Sequence, residues 1–160
     1  MFRRCFLLCF AAALAGCAAP GHVAMPAGTT LIILRHGDRD TEDLNEKGIA
    51  RAQALVAALD GIAIDAIYSP GIKRNLDTAA PLATARGLPV QRIQGEDPTA
   101  SLMALGAGKT IVWVGNKGNL RSVWDALGAP EPPPLDYGDL YIVTPARLGS
   151  PRVEHRRFGP

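Results

Sequence analysis

The stretch Leu31-Ile32-Ile33-Leu34-Arg35-His36-Gly37-Asp38 decides how the chain is read. Four consecutive apolar residues, two of them β-branched, predict a short strand buried on both faces, as in the covered sheets of α/β proteins. The run stops at Arg35-His36-Gly37. That puts a guanidinium and an imidazole at the C-terminal lip of a strand, where open α/β sheets bind ligands. Gly37 admits a sharp turn and the close approach of a ligand. An imidazole nitrogen can attack phosphorus and carry a phosphoryl group, while a guanidinium beside it holds two of the oxygens. The competing reading is a strand that merely ends in two solvated side chains. Taken alone, the tripeptide leaves both open.

Downstream, strands alternate with helices. Asn45 is placed to cap a helix with Glu46 in its first turn, Ile49, Ala52, Leu55, Val56 and Leu59 recur at helical spacing, and Gly61 ends it. Ile64–Tyr68 predicts a second strand, and a helix from about Ile72 to Arg86 follows Ser69-Pro70-Gly71, with Gly87 as its stop. Leu88–Ile93 reads as a weaker strand, and Asp97 can cap a short helix running to Leu105. Thr110–Val114 is the second strongly apolar strand, followed by the loop Gly115–Asn119 and a helix over Leu120–Leu127. After Gly128 and the prolines at 130–134, Leu140–Val143 and Arg152–Phe158 predict two closing strands. This alternation predicts an α/β fold, a three-layer α/β/α sandwich around a mainly parallel sheet.

Upstream, residues 1–16 read as a signal segment. Arg3 and Arg4 form a positive start, and Phe6–Leu14 is an apolar run too short for a stable span. Leu14-Ala15-Gly16-Cys17 looks like a bacterial lipobox, so cleavage before Cys17 and acylation of its thiol are expected, with an ordinary secretory signal or an uncleaved anchor as the alternatives. Ala18 rather than Asp, by resemblance to enterobacterial lipoproteins, points to the outer membrane facing the periplasm. Residues 17–28, acylated Cys17 and an Ala/Gly/Pro-rich stretch, read as a flexible tether, and residues 29–160 as one domain. Cleavage also removes Cys5 and Cys9, leaving Cys17 as the sole cysteine and excluding an intramolecular disulfide. Loss of Arg3 and Arg4 leaves 15 basic against 15 acidic side chains, so no nucleic-acid partner is expected.

Several motifs now line up. Leu34-Arg35-His36-Gly37, Leu44-Asn45-Glu46-Lys47-Gly48 with Arg51-Ala52, and Tyr68-Ser69-Pro70 with Arg74 and Thr78-Ala79 follow in order. The strand and loop Val112–Asn119 and the ending Leu140–Val143 complete the set. From Thr29 to Gly159 the chain resembles the histidine phosphatase superfamily, the group that includes phosphoglycerate mutase. The resemblance implies that His36 is a nucleophile forming phosphohistidine and that Arg35 and Arg74 clamp the phosphoryl oxygens. It implies a carboxyl proton donor near Glu96 and Asp97; Asp97, followed by Pro98, fits better, although the same residue serves equally as a helix cap. Neither metal nor cofactor is implied, because fixed arginines take the part of Mg²⁺.

One departure stands out. The family pattern places Gly-His after the strand equivalent to Ile111–Val114, and this chain has Gly115-Asn116. Asn116 can bind phosphate through its amide but carries no charge, and loss of a positioned donor of this kind costs on the order of 10²–10³ in rate. Lys117 is a nearby source of charge, whereas His22 and His155 lie far from this loop in sequence. Two functions follow as expectations. One is hydrolysis of a phosphomonoester or phosphohistidine, on a small molecule or a phosphoprotein, with reduced activity. The other is a non-catalytic anion-binding envelope lipoprotein. A purely structural lipoprotein is a third. The short chain lacks the insertions of a mutase. Gly108-Lys109-Thr110 mimics the end of a P-loop but precedes a strand and lacks the earlier glycine, where Met103 stands.

Overall fold

The computed structural model describes residues 22–130 and 132–160; Cys17 and the predicted signal segment lie outside the described residues. In chain order the elements are β1 (Thr30–Arg35), α1 (Glu46–Ala58), β2 (Ala66–Ser69), α2 (Lys73–Arg86), β3 (Val90–Arg92), α3 (Thr99–Leu105), β4 (Thr110–Gly115), α4 (Lys117–Ala126), β5 (Asp139–Thr144) and β6 (Arg152–Arg157). They build one sheet in the order β3-β2-β4-β1-β5-β6. Strands β1 to β4 pair in parallel, and β5 runs antiparallel between β1 and β6.

The alternation of side chains along β1 divides the core in two. Leu31 and Ile33 pack with Leu102 and Met103 of α3 and with Leu120, Val123 and Trp124 of α4. Ile32 and Leu34 pack on the other face with Leu55 of α1 and Ala79 and Leu82 of α2. All four β1 residues have no exposed surface, as the unbroken apolar run predicts. The result is the predicted three-layer sandwich with a mainly parallel sheet. Helices α1 and α2 cover one face and α3 and α4 the other, so the helices leaving the neighbouring strands β1 and β4 diverge. That divergence opens a crevice at the carboxyl ends of those strands, the usual ligand position in such sheets.

Local signals explain most boundaries. Asn45 caps α1 by accepting from the Gly48 amide at 2.9 Å. Gly87 ends α2 in the left-handed region at φ 63°. Three differences stand out. Helix α4 begins at Lys117 rather than Leu120, because Asn116 caps it from outside the apolar periodicity. Ile49, expected on the buried face of α1, is half exposed. The stretch 22–28, expected to be part of a tether, lies against the body: Val23 and Met25 pack on the core, and the Val23 amide donates to the Ala126 carbonyl at 2.7 Å. No helix among the described residues is long and apolar enough to cross a membrane.

Candidate active site

The first residue past β1 is His36, whose amide donates to the Gly115 carbonyl at 2.9 Å, continuing the β1–β4 ladder one step beyond the strand. Its ring is buried, with 2 % of its surface exposed. Nδ1 lies 2.8 Å from the Gly37 carbonyl, and Nε2 lies 3.3 Å from Nε of Arg74. A carbonyl only accepts and a guanidinium only donates. These neighbours therefore assign the proton to Nδ1 and the lone pair to Nε2. Burial, and then the positive charges of Arg35, Arg74 and Arg39, push the imidazole down from 6.5 to about 4, against the raising effect of its Gly37 hydrogen bond. At neutral pH the ring is an uncharged imidazole among three cations.

Close backbone packing holds this arrangement. A Cβ on Gly37 would lie 2.7 Å from the Gly48 carbonyl oxygen, and one on Gly48 would lie 2.0 Å from that of Asp38. The two glycines thus let the start of α1 press against the turn after β1. The Gly37 amide donates to Oγ1 of Thr78 at 2.8 Å, and that hydroxyl donates to the Arg74 carbonyl at 2.8 Å. This short chain ties the His36 turn to the first turn of α2, setting Arg74 beside Nε2.

Arg35 is anchored on the other side. Its two terminal nitrogens donate to the Leu135 carbonyl and the Tyr137 hydroxyl, each at 3.0 Å, and its guanidinium lies 3.8 Å from the centre of the Tyr137 ring. Burial lowers its pKa, and the like charge of Arg39 adds to this, while Tyr137 and the Asp136 and Asp38 carboxylates oppose it. Nε of Arg35 and Nε of Arg39 are buried without an acceptor. Arg35, His36, Arg39, Arg74, Asn116, Lys117 and Gly118 line a cavity of about 290 Å³. So the predicted Arg35, His36, Arg74 and Asn116 share one cavity, with Lys117 on its wall.

Asn116 does a second job. Its Oδ1 accepts from the amides of Gly118 at 3.1 Å and Asn119 at 3.3 Å, and Oδ1 of Asn119 accepts from the Asn116 amide at 2.9 Å. This reciprocal pair caps α4. The amide end of Asn116 is the part left to meet a ligand.

The two carboxylate candidates separate. Oδ1 of Asp97 accepts from the amide of Thr99 at 3.0 Å and from its hydroxyl, at the start of α3. Glu96 instead lines a second cavity, of about 520 Å³, which shares Asn116 and Gly118 with the first. The geometry thus gives Asp97 the capping role and brings Glu96, not Asp97, toward the site.

Sequence reasoning did not single out Tyr137, Arg39 or Glu42. Glu42 accepts from Nη1 of Arg74 at 2.8 Å and lies 3.5 Å from Nη1 of Arg39, so an exposed carboxylate stands at the mouth of the cation cluster. The polar loop that holds it begins two residues past His36, which was the available signal. His155 lies on the outer strand, bonded to Asp139 at 2.9 Å and stacked on Tyr141, and His22 rests near the Asp125 carbonyl. Among the described residues, no group of three or more His, Cys, Asp and Glu side chains could hold a metal ion.

Residues 31–95, which carry β1 through Arg74 to the turn before Glu96, match the family model of the histidine phosphatase superfamily (branch 1). Over these residues the chain is similar to the histidine phosphatase superfamily. A search by sequence among curated proteins finds no match. Solved structures of similar fold include the protein histidine phosphatase SixA complexed with tungstate, at 18% identity, a TM-score of 0.65, and coverage of 80% of this chain and 96% of that one. Mycobacterial glucosyl-3-phosphoglycerate phosphatase with inorganic phosphate matches at 20% identity and a TM-score of 0.60, covering 82% of this chain and 97% of its own. Bacillus stearothermophilus YhfR matches at 20% identity and 0.62, covering 78% and 95%. At these identities the likeness shows that the chain has the same fold as those proteins over nearly their whole length.

Proposed function

We propose that the protein is a phosphatase that works through a phosphohistidine at His36. The observation that carries this reading is the unprotonated Nε2 of His36, which accepts from Arg74 and has the Arg35–Tyr137 pair nearby at the switch point of the sheet. Nε2 attacks phosphorus as the ester P–O bond breaks, and the leaving oxygen takes a proton from a carboxylic acid. Water then attacks the phosphohistidine, the N–P bond breaks, and the product is inorganic phosphate. Arg35, Arg39 and Arg74 stabilise the charge on the equatorial oxygens, and an oxyanion is the acceptor that the buried Nε groups of Arg35 and Arg39 lack. Glu96 is assigned as proton donor on the strength of its place in the adjoining cavity. SixA and the mycobacterial enzyme are named as phosphatases of phosphohistidine and of a phosphoglycerate ester, which supports the reaction class. The test is turnover of an aryl phosphate together with acid-labile phosphate labelling, both lost in His36→Ala. No label and no turnover would sink the reading.

Asn116 favours a second reading, an anion receptor that no longer turns over, because the cap occupies its carbonyl oxygen and His36 is the one imidazole among the lining residues of that cavity. That receptor would bind phosphate without releasing product from any ester. Location belongs to the same proposal: Arg3-Arg4, the apolar run and Leu14–Cys17 support an acylated Cys17 holding the domain on the outer membrane toward the periplasm. Cys17→Ser should release the protein from membranes on fractionation, and a wild type that is already soluble would overturn it.

A further inference from the structure

We infer that the ester's leaving group is an uncharged, hydroxyl-rich group of about monosaccharide size, and not a carboxylate or a second phosphate. This rests on the phosphatase reading and narrows it to a substrate class. The two adjoining cavities divide the charge of the site between them. Arg35, Arg39, Arg74 and Lys117 line the smaller cavity with His36, while Arg92 stands beside the larger one, its Cδ 3.7 Å from where a Cβ on Gly71 would be. The larger one, about 520 Å³, has no Lys, Arg or His among its lining residues. Its polar lining is Gln94, Glu96, Asn116, Asn119 and Ser122, with Pro70 and Ile72 as apolar wall.

Those groups suit hydroxyls. A side-chain amide donates and accepts, a hydroxyl does the same, and a carboxylate accepts from hydroxyls only. An anionic leaving group would enter beside Glu96 with no Lys, Arg or His among the lining residues to donate to it. The volume is in the range of small-molecule sites. Nε2 of Gln94 lies 3.1 Å from where a Cβ on Gly71 would stand, so Gln94 reaches across to the turn that starts α2 and floors the cavity. Position 94 is therefore where a new charge would meet the leaving group.

The test is equilibrium binding by calorimetry to His36→Ala protein, which needs no turnover, with glucose 6-phosphate and 3-phosphoglycerate as probes. The sugar ester should bind at least tenfold more tightly. Gln94→Arg, made in the same background, should move the ratio at least tenfold toward 3-phosphoglycerate, and Ser122→Lys should move it in the same direction. Tighter binding of 3-phosphoglycerate, equal binding, no binding of either, or a ratio unmoved by both variants would overturn the inference. Aryl phosphate turnover by the wild type is read separately. Turnover without the sugar preference removes this inference alone, whereas preference without turnover removes the catalytic reading and leaves a sugar-phosphate receptor.

Discussion

His36 is neutral at physiological pH because burial and three arginines oppose its charge. In phosphate-free protein its NMR titration should centre near pH 4, and saturating inorganic phosphate should raise that midpoint by offsetting the arginines. The sign for stability follows from linkage. The unfolded chain binds the proton from about pH 6.5 downward, while the folded ring refuses it until about 4. Stability should therefore fall as pH drops through that window, and His36→Gln should flatten that slope in urea titrations. A midpoint at 6.5 would mean that the ring is not buried among the cations. Glu42 sits on the same cluster but is mostly exposed, so its pairing with Arg74 is weak. Exposed pairs contribute about 0.2–1 kcal/mol, and Glu42→Gln should tighten phosphate binding by roughly two- to fivefold. Weaker binding in that variant would show that Glu42 orients Arg74 rather than competing with the anion.

Helix α4 makes Asn116 serve the fold and the site together. Asn116→His should restore a phosphate donor and raise turnover, by up to about 10²–10³. It should also cost about 1 kcal/mol of cap and lower Tm by a few degrees. Asn116→Asp should keep the cap and weaken phosphate binding, since a carboxylate accepts but does not donate. If His lowers both turnover and stability, the pocket has been rebuilt around Asn116. In Gly48→Ala the new Cβ meets Asp38 backbone atoms, which yield less easily than a side chain; a loss of at least ~1–3 kcal/mol is expected in denaturant melts, with activity falling as the His36 turn shifts. Much of this was legible in residue order. The apolar runs of β1 and β4 and the caps at Asn45 and Gly87 all mark their elements locally. What was not legible depended on long-range closure. Tyr137 reaches Arg35 only because β5 pairs beside β1, and the division of labour between Glu96 and Asp97 depends on which carboxylate the start of α3 uses. The early start of α4 was hidden because a cap pair of asparagines leaves no apolar period.

Across the whole molecule, Arg51 joins the site to the end of the chain. It is 3 % exposed, and its Nε donates to Oδ2 of Asp38 at 2.6 Å while Nη1 reaches the Phe158 carbonyl at 2.5 Å. Breaking a buried pair from one side would leave Asp38 with only the longer contact to Lys47 at 3.7 Å, so Arg51→Met should cost about 3–5 kcal/mol in urea unfolding and reduce activity, as Asp38 lies two residues past His36. Lys should rescue poorly, since it lacks the planar fork. At the opposite end of the sheet, the ring of His22 lies against Gly128, and Val23 is bonded to the last turn of α4. That end is where β1 enters the sheet, six strand residues and about 20 Å from where it delivers His36. His22 stands five positions after Cys17, a reach of at most about 18 Å. If Cys17 is acylated as proposed, that reach would keep the domain close to its bilayer, with the end that carries His22 nearer the lipid than the crevice. On that reading phospholipid phosphates of the host leaflet would stay out of reach, and turnover of a soluble ester should be the same on vesicles as in detergent.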